Sequence, residues 1–184
     1  MTALTGAPAG AATWPADDDS LQHLARTLAN ALLARKLHLA TAESCTGGWI
    51  GQVLTALPGS SAWFEGGVVS YSNAAKQSLL GVRERTLVEE GAVSGTCAQE
   101  MAAGAGQRFG TGVAVAVTGI AGPDGGSLDK PVGTVWIGWQ LPGQSAQATR
   151  FLFAGDRQAV RRQTVAAALS GLVERLEALE LPAP

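Results

Sequence analysis

Charge is what this sequence has least of. Only 15% of its 184 residues are charged, and 13 lysines and arginines stand against 15 aspartates and glutamates. Without a basic surplus there is no general surface for a nucleic-acid backbone, which disfavours a binder of duplex DNA or RNA. No apolar run reaches the roughly 18 residues that a membrane span needs, so a soluble protein without a membrane partner is expected. Cysteine is equally scarce: Cys45 and Cys97 have no metal-ligand spacing and no signal peptide is read ahead of them. Free thiols in a reducing cytoplasm are therefore the expectation. The two histidines, His23 and His38, fall in the first helical pattern and the first strand, before the loops where chemistry would occur. A Ser-His-Asp triad is not expected, and the lack of a His/Cys/Asp ligand cluster implies neither metal nor cofactor.

Glycine is the opposite case. The chain has 24, gathered at junctions between apolar runs, where positive φ or close backbone approach is useful. The length fits one domain, read as residues 20–181 after a flexible Ala/Gly/Pro-rich leader over 1–19 that only Trp14 would anchor. The apolar periodicity predicts a helix from Ser20 to Lys36, a buried strand from Leu37 to Ala42 and a helix from Gly47 to Leu57. A second strand is expected over Phe64 to Tyr71, a short helix over Ser72 to Leu80 and another turn or two over Arg83 to Glu90. Ser94 reads as the cap of a long alanine-rich helix, Gly112 to Val117 as a central strand, Val132 to Leu141 and Gln147 to Phe153 as a hairpin, and Asp156 as the cap of the last helix. Helices alternating with strands, then a hairpin and a closing helix, predict a three-layer α/β/α sandwich on a mixed, mostly parallel sheet of about five strands. The alanine-rich helix and the tryptophans, if exposed, suit a homo-oligomer, which is the expected assembly; they suit a core as well.

Two loops carry the chemistry. Leu39-Ala-Thr-Ala-Glu-Ser-Cys-Thr-Gly-Gly48 hands an apolar strand to Ser44, Thr46 and a helix start, whose free N–H groups favour an anion or a developing oxyanion. Ser44 is thus a nucleophile or a cap. Thr118-Gly-Ile-Ala-Gly-Pro-Asp-Gly-Gly126 ends the central strand in the same way, so the two loops would face each other across a crevice at the carboxyl edge of the sheet. The second loop has neither the Lys-Ser/Thr ending of a P-loop nor GxGxxG spacing. A serine nucleophile needs a base, and Lys76, just past the second strand with few charges nearby, is the candidate if burial makes its amine neutral. Ser72, one helical turn before Lys76, competes as partner or serves as a cap. Tyr71, the only tyrosine, would donate to a substrate or tune Lys76. Arg157, Arg161 and Arg162 form the only cationic cluster, at the start of the last helix, and are either a phosphate grip or a solvated face.

Six ordered segments then stand together: Ala42-Glu-Ser-Cys-Thr-Gly-Gly48, Gly66-Gly-Val-Val-Ser-Tyr-Ser-Asn73 with Lys76, Leu80-Gly-Val82, Gly91-Ala-Val-Ser94, Thr118-Gly-Ile-Ala-Gly-Pro123 and Lys130-Pro-Val-Gly-Thr134. Over roughly Leu21 to Leu176 the sequence resembles the CinA C-terminal domain family, the nicotinamide-nucleotide amidases, in their stand-alone form. That resemblance implies hydrolysis of nicotinamide mononucleotide to nicotinic acid mononucleotide and ammonia, with the family's serine on Ser44, its lysine on Lys76, its tyrosine on Tyr71 and its loop threonine on Thr118. On this reading the N–H groups of Cys45, Thr46, Gly47 and Gly48 receive the oxyanion, Tyr71 and Thr118 orient the amide or the lysine, and the loop with Gly119, Ala121 and Gly122, together with Arg157, holds the ribose phosphate. The rival readings are a nucleotide-binding module that does not react, and a competence- or damage-associated interaction protein.

Overall fold

The computed structural model describes residues 16–179, so Trp14 and most of the expected leader lie outside the described residues. The first helix, α1 (Asp18–Ala34), begins two residues before Ser20, because the Asp17 side chain is the cap and accepts from Ser20 N–H at 2.7 Å. β1 (Leu39–Glu43) leads through a glycine turn into α2 (Trp49–Thr55), and a 3-10 turn then enters β2 (Phe64–Val69). α3 (Asn73–Leu80), α4 (Glu84–Glu89) and α5 (Gly95–Phe109) follow, with Ser72 and Ser94 capping α3 and α5 as expected. β3 (Val113–Gly119), the hairpin β4 (Thr134–Gln140) and β5 (Gln147–Leu152), and α6 (Arg157–Glu177) complete the fold.

The sheet order is β2-β1-β3-β4-β5. β1 lies parallel between β2 and β3, whereas β4 is antiparallel to both β3 and β5. Four strands therefore point one way and β4 alone opposes them, while the pairings divide evenly between parallel and antiparallel. The Val-Ala alternation of β3 sorts the two faces. Val113, Val115 and Val117 join the core under α1, α2 and α6, whereas Ala114 and Ala116 join Ala40 and Ala42 under α5. Small residues on the second face let α5 come close: a Cβ at Gly138 in β4 would strike the Ala98 carbonyl oxygen of α5.

The described tryptophans belong to packing and not to an exposed surface. Trp63 and Trp139 are buried, Trp49 and Trp136 are half-buried, and the Trp139 indole donates to the Ala168 carbonyl at 3.1 Å. His38 lies just before β1 and not within it; it is exposed and pairs with Glu65 at 2.6 Å. No described helix is long and apolar enough to cross a membrane. What matters for the site is the position of β1, whose carboxyl end is flanked by the ends of β2 and β3. Ser70 N–H bonds to the Glu43 carbonyl on one side, and Ser44 N–H bonds to the Val117 carbonyl on the other.

Candidate active site

The turn from β1 into α2 is built around a residue whose role the sequence did not reveal. Glu43 is 2% exposed, and its carboxylate accepts from the Thr46 hydroxyl at 2.6 Å and from the N–H groups of Gly48, Ile50 and Gly51 at 3.0, 3.0 and 2.8 Å. A buried carboxylate needs such donors, and a helix start needs an anion. The anion place at the α2 N-terminus is therefore filled from within the chain. The Thr46 hydroxyl is thereby committed to Glu43, and one expectation changes: Gly48 N–H is not free for an oxyanion. Gly47 N–H is not free either, since it donates to the Ser44 carbonyl at 3.1 Å. Gly47 and Gly48 both have positive φ, 63° and 97°, which explains the glycine pair at this tight turn.

Lys76 reaches Ser44 across 32 positions of sequence. Its Nζ lies 2.9 Å from Ser44 Oγ and 2.7 Å from the Ser70 carbonyl oxygen. The local reason is the Ser72 cap: its hydroxyl oxygen accepts from Ala75 N–H at 3.1 Å, which fixes the first turn of α3 and turns Lys76 inward. Ser72 is thereby a cap and does not compete with Ser44. Lys76 is 1% exposed and forms no ion pair among the described residues. Burial pushes its amine below the usual lysine range, against a weaker opposing pull from the Cys97 and Cys45 thiolates. Those thiolates are rare at neutral pH, because burial raises Cys45 to about 12 and Cys97 to about 11. Desolvation governs the lysine.

The remaining candidates separate into rim and scaffold. Tyr71 is 61% exposed, and its hydroxyl accepts from Arg157 at 3.0 Å; it is not hydrogen-bonded to Lys76. Arg157 also donates to the Gly122 carbonyl at 2.9 Å, so it bridges the segment after β2 to the loop after β3, on either side of Ser44. Thr118 is 1% exposed and donates to the Ala92 carbonyl at 2.8 Å, which ties β3 to the turn before α5 instead of orienting an amide or the lysine. Gly119 and Ala121 pack against β4 and the core: a Cβ at Gly119 would meet Val135 at 2.6 Å, and Ala121 is buried. Gly122 presents its carbonyl to Arg157.

A cleft of about 750 Å³ lies beside the elbow, with Gly47, Gly48, Trp49, Arg157 and Arg161 among its walls. Ser44 and Lys76 are not themselves walls of it, and the cleft meets the elbow through the two glycines. Arg162 turns away toward Asp18 and the Ala16 carbonyl. Arg161 donates from Nε to the Cys45 carbonyl at 3.0 Å and from its terminal nitrogen to the Thr46 carbonyl at 2.6 Å. The three arginines read as one cluster in sequence thus have three different fates.

With this geometry in hand, the comparisons with known proteins decide the family. The family model described as CinA C-terminal domain matches residues 21–176. The chain belongs to the CinA C-terminal domain family. It is 51% identical over 155 residues to nicotinamide-nucleotide amidohydrolase PncC of Escherichia coli strain K12, a match covering 84% of this chain and 94% of that protein. A protein of the same name from Pseudomonas putida is also 51% identical, over 85% of this chain and 97% of its own length. Among solved structures, a CinA superfamily protein of Klebsiella pneumoniae superposes with a TM-score of 0.83 at 41% identity, covering 86% of this chain and 99% of its own. The family's α/β sandwich is the fold seen here.

Proposed function

We propose that the protein hydrolyses the carboxamide of nicotinamide mononucleotide to nicotinic acid mononucleotide and ammonia, a step of pyridine-nucleotide salvage in the cytoplasm. The relatives named for nicotinamide-nucleotide amidohydrolase activity support the substrate. The single observation that carries the chemistry is the 2.9 Å contact between Ser44 Oγ and a buried lysine amine that has no ion-pair partner among the described residues. An amine in that setting loses its proton at lower pH than a solvated one, and a neutral amine can accept a proton from a serine hydroxyl.

In the first step Ser44 Oγ attacks the carboxamide carbon while its proton passes to Lys76 Nζ. The carbonyl oxygen becomes an oxyanion, stabilised by the N–H groups of Cys45 and Thr46, at roughly 3 kcal/mol for a donor in comparable sites. As the tetrahedral species collapses the C–N bond breaks, and Lys76 gives its proton to the departing ammonia. An acyl ester on Ser44 remains. Water then attacks the ester carbon and gives a proton to Lys76, and the C–O bond to Ser44 breaks with return of that proton to Oγ. Arg157, exposed on the cleft and held by Tyr71 and Gly122, meets the phosphate. Tyr71 serves by holding Arg157 and takes no part in the proton transfers.

The test is ammonia release from nicotinamide mononucleotide by purified protein, with and without chelator. Turnover that is indifferent to chelator and absent in Ser44→Ala and Lys76→Met is the expected result. Turnover persisting in Ser44→Ala rules out the acyl-enzyme route, and tight binding without any turnover leaves a nucleotide-binding module instead.

A further inference from the structure

Of the backbone N–H groups from Ser44 to Gly51, all but two have an acceptor among the described residues. Ser44 N–H goes to Val117, Gly47 N–H to the Ser44 carbonyl and Trp49 N–H to the Thr46 carbonyl at 3.4 Å, while Gly48, Ile50 and Gly51 go to the Glu43 carboxylate. Only the amides of Cys45 and Thr46 have no acceptor among the described residues. Unpaired backbone donors are rare in folded chains and cluster where something else is to be bound.

What orients these two amides is the other side of their own peptide groups. In a planar trans peptide the C=O and the N–H of one unit point in opposite directions. The Thr46 N–H shares its peptide with the Cys45 carbonyl, which Arg161 Nε holds at 3.0 Å. The Cys45 N–H shares its peptide with the Ser44 carbonyl, which Gly47 N–H holds, and the next carbonyl, of Thr46, is held by the second Arg161 nitrogen at 2.6 Å. One guanidinium thus spans two consecutive carbonyls of the turn, a task that suits its rigid fork and not a point charge. Its permanent charge also polarises those peptides: the free Thr46 N–H opposite the Cys45 carbonyl becomes a better donor, and the Gly47 N–H opposite the Thr46 carbonyl holds the Ser44 carbonyl more firmly.

We propose that Arg161 is a positioning residue for the oxyanion: by clamping the Cys45 carbonyl it aims the Thr46 amide at the carbonyl oxygen of the substrate, and by clamping the Thr46 carbonyl it fixes the Gly47 N–H that holds the Ser44 carbonyl behind the Cys45 amide. This rests on Ser44 being the nucleophile. Arg161 does not touch the reacting atoms, and its influence passes through 115 and 116 positions of sequence, from α6 to the β1–α2 turn.

The experiment is steady-state kinetics on nicotinamide mononucleotide with Arg161→Ala, Arg161→Lys and Ser44→Ala. Interactions made only in the transition state alter kcat and leave KM alone, and losing one preorganised donor costs roughly 10²-fold. Arg161→Ala is expected to lose that factor in kcat with KM within about twofold. Guanidinium ion added to Arg161→Ala should restore part of the rate, and methylammonium should not. Arg161→Lys keeps the charge on a side chain able to fold in place, and should still fall because one ammonium cannot hold two carbonyls in the same geometry. A raised KM with kcat intact in either variant overturns the proposal and makes Arg161 a substrate grip. Parent-like kcat in Arg161→Lys also overturns it. Turnover in Ser44→Ala would fault the nucleophile itself, a failure that these Arg161 readouts do not produce.

Discussion

Two buried ionisable groups, Lys76 and Glu43, decide how the site responds to change. Lys76 is held below the ordinary lysine range by burial, so its proton is lost on folding at pH values where an unfolded lysine still keeps it. If neutral Lys76 is the base, kcat rises with pH through this lowered value and levels off before the ordinary lysine range near 10.5. A pH-rate profile whose rising limb lies at that ordinary value would contradict the assignment. The same shift has a signed consequence for stability. Between the folded and unfolded pKa values the unfolded chain binds more protons, so stability gains with pH in that window; below it both states are charged and the full desolvation penalty persists. Relative to Lys76→Met, the parent should therefore improve as pH rises toward 10, read from urea unfolding at several pH values. Glu43 behaves differently, because it is satisfied by four donors. In Glu43→Gln the amide NH₂ faces backbone N–H groups, leaving buried donors unpaired at about 1–3 kcal/mol. That loss should appear in urea unfolding, along with a lower kcat, since the elbow carrying Ser44 is built on this carboxylate.

Elements were legible in the sequence wherever a local cap or a pattern sufficient by itself defined them. Ser72, Ser94 and Asp156 each cap the helix that follows, and each hydroxyl or carboxylate precedes an apolar stripe that announces it. Boundaries moved where the capping residue was not read, as with Asp17, which starts α1 two residues before the expected Ser20. The Ser44–Lys76 pairing was legible only as a possibility of chemistry, since nothing local measures a distance across 32 positions. Glu43 had a readable signal that was missed: a carboxylate directly after an apolar strand and three residues before a threonine requires donors, and a helix start supplies them. Arg161 had none, because its partners lie on the far side of the chain. Glycines show the same division at the level of packing. Gly104 in the middle of α5 looks like a defect, and alanine would favour an isolated helix by about 1 kcal/mol. A Cβ there would run into the Leu80 carbonyl oxygen at the end of α3, the helix that carries Lys76. Gly104→Ala is thus expected to destabilise by about 1–3 kcal/mol through overpacking. A drop in Tm of about 2–4 °C per kcal/mol checks it, and a Tm at or above the parent's would mean that α3 can give way.

At the scale of the whole molecule, the charge distribution fits the proposed recognition of one phosphate and not of a polymer of them. The net charge is −2, and of the three arginines at the start of α6 two are already engaged by the protein itself, Arg161 by turn carbonyls and Arg162 by Asp18 and the Ala16 carbonyl. Arg157 alone is exposed on the cleft, and its two contacts, to Tyr71 and Gly122, are neutral oxygens that leave its charge uncompensated. A single charge-assisted phosphate contact is worth about 1.5–3 kcal/mol, or roughly 10- to 100-fold in binding. Arg157→Ala should raise KM for nicotinamide mononucleotide by that order while leaving kcat near the parent value, and should leave the phosphate-free riboside unaffected. Equal losses on both substrates would move the phosphate elsewhere. Duplex DNA presents the opposite demand, since its affinity grows with the number of phosphates neutralised and falls steeply with salt. One cleft arginine on a chain with acidic residues in excess does not meet that demand, so no complex should form with duplex DNA at about 0.15 M salt, and titration at low salt should show no steep salt-dependent slope. A slope corresponding to several released counterions would contradict this prediction.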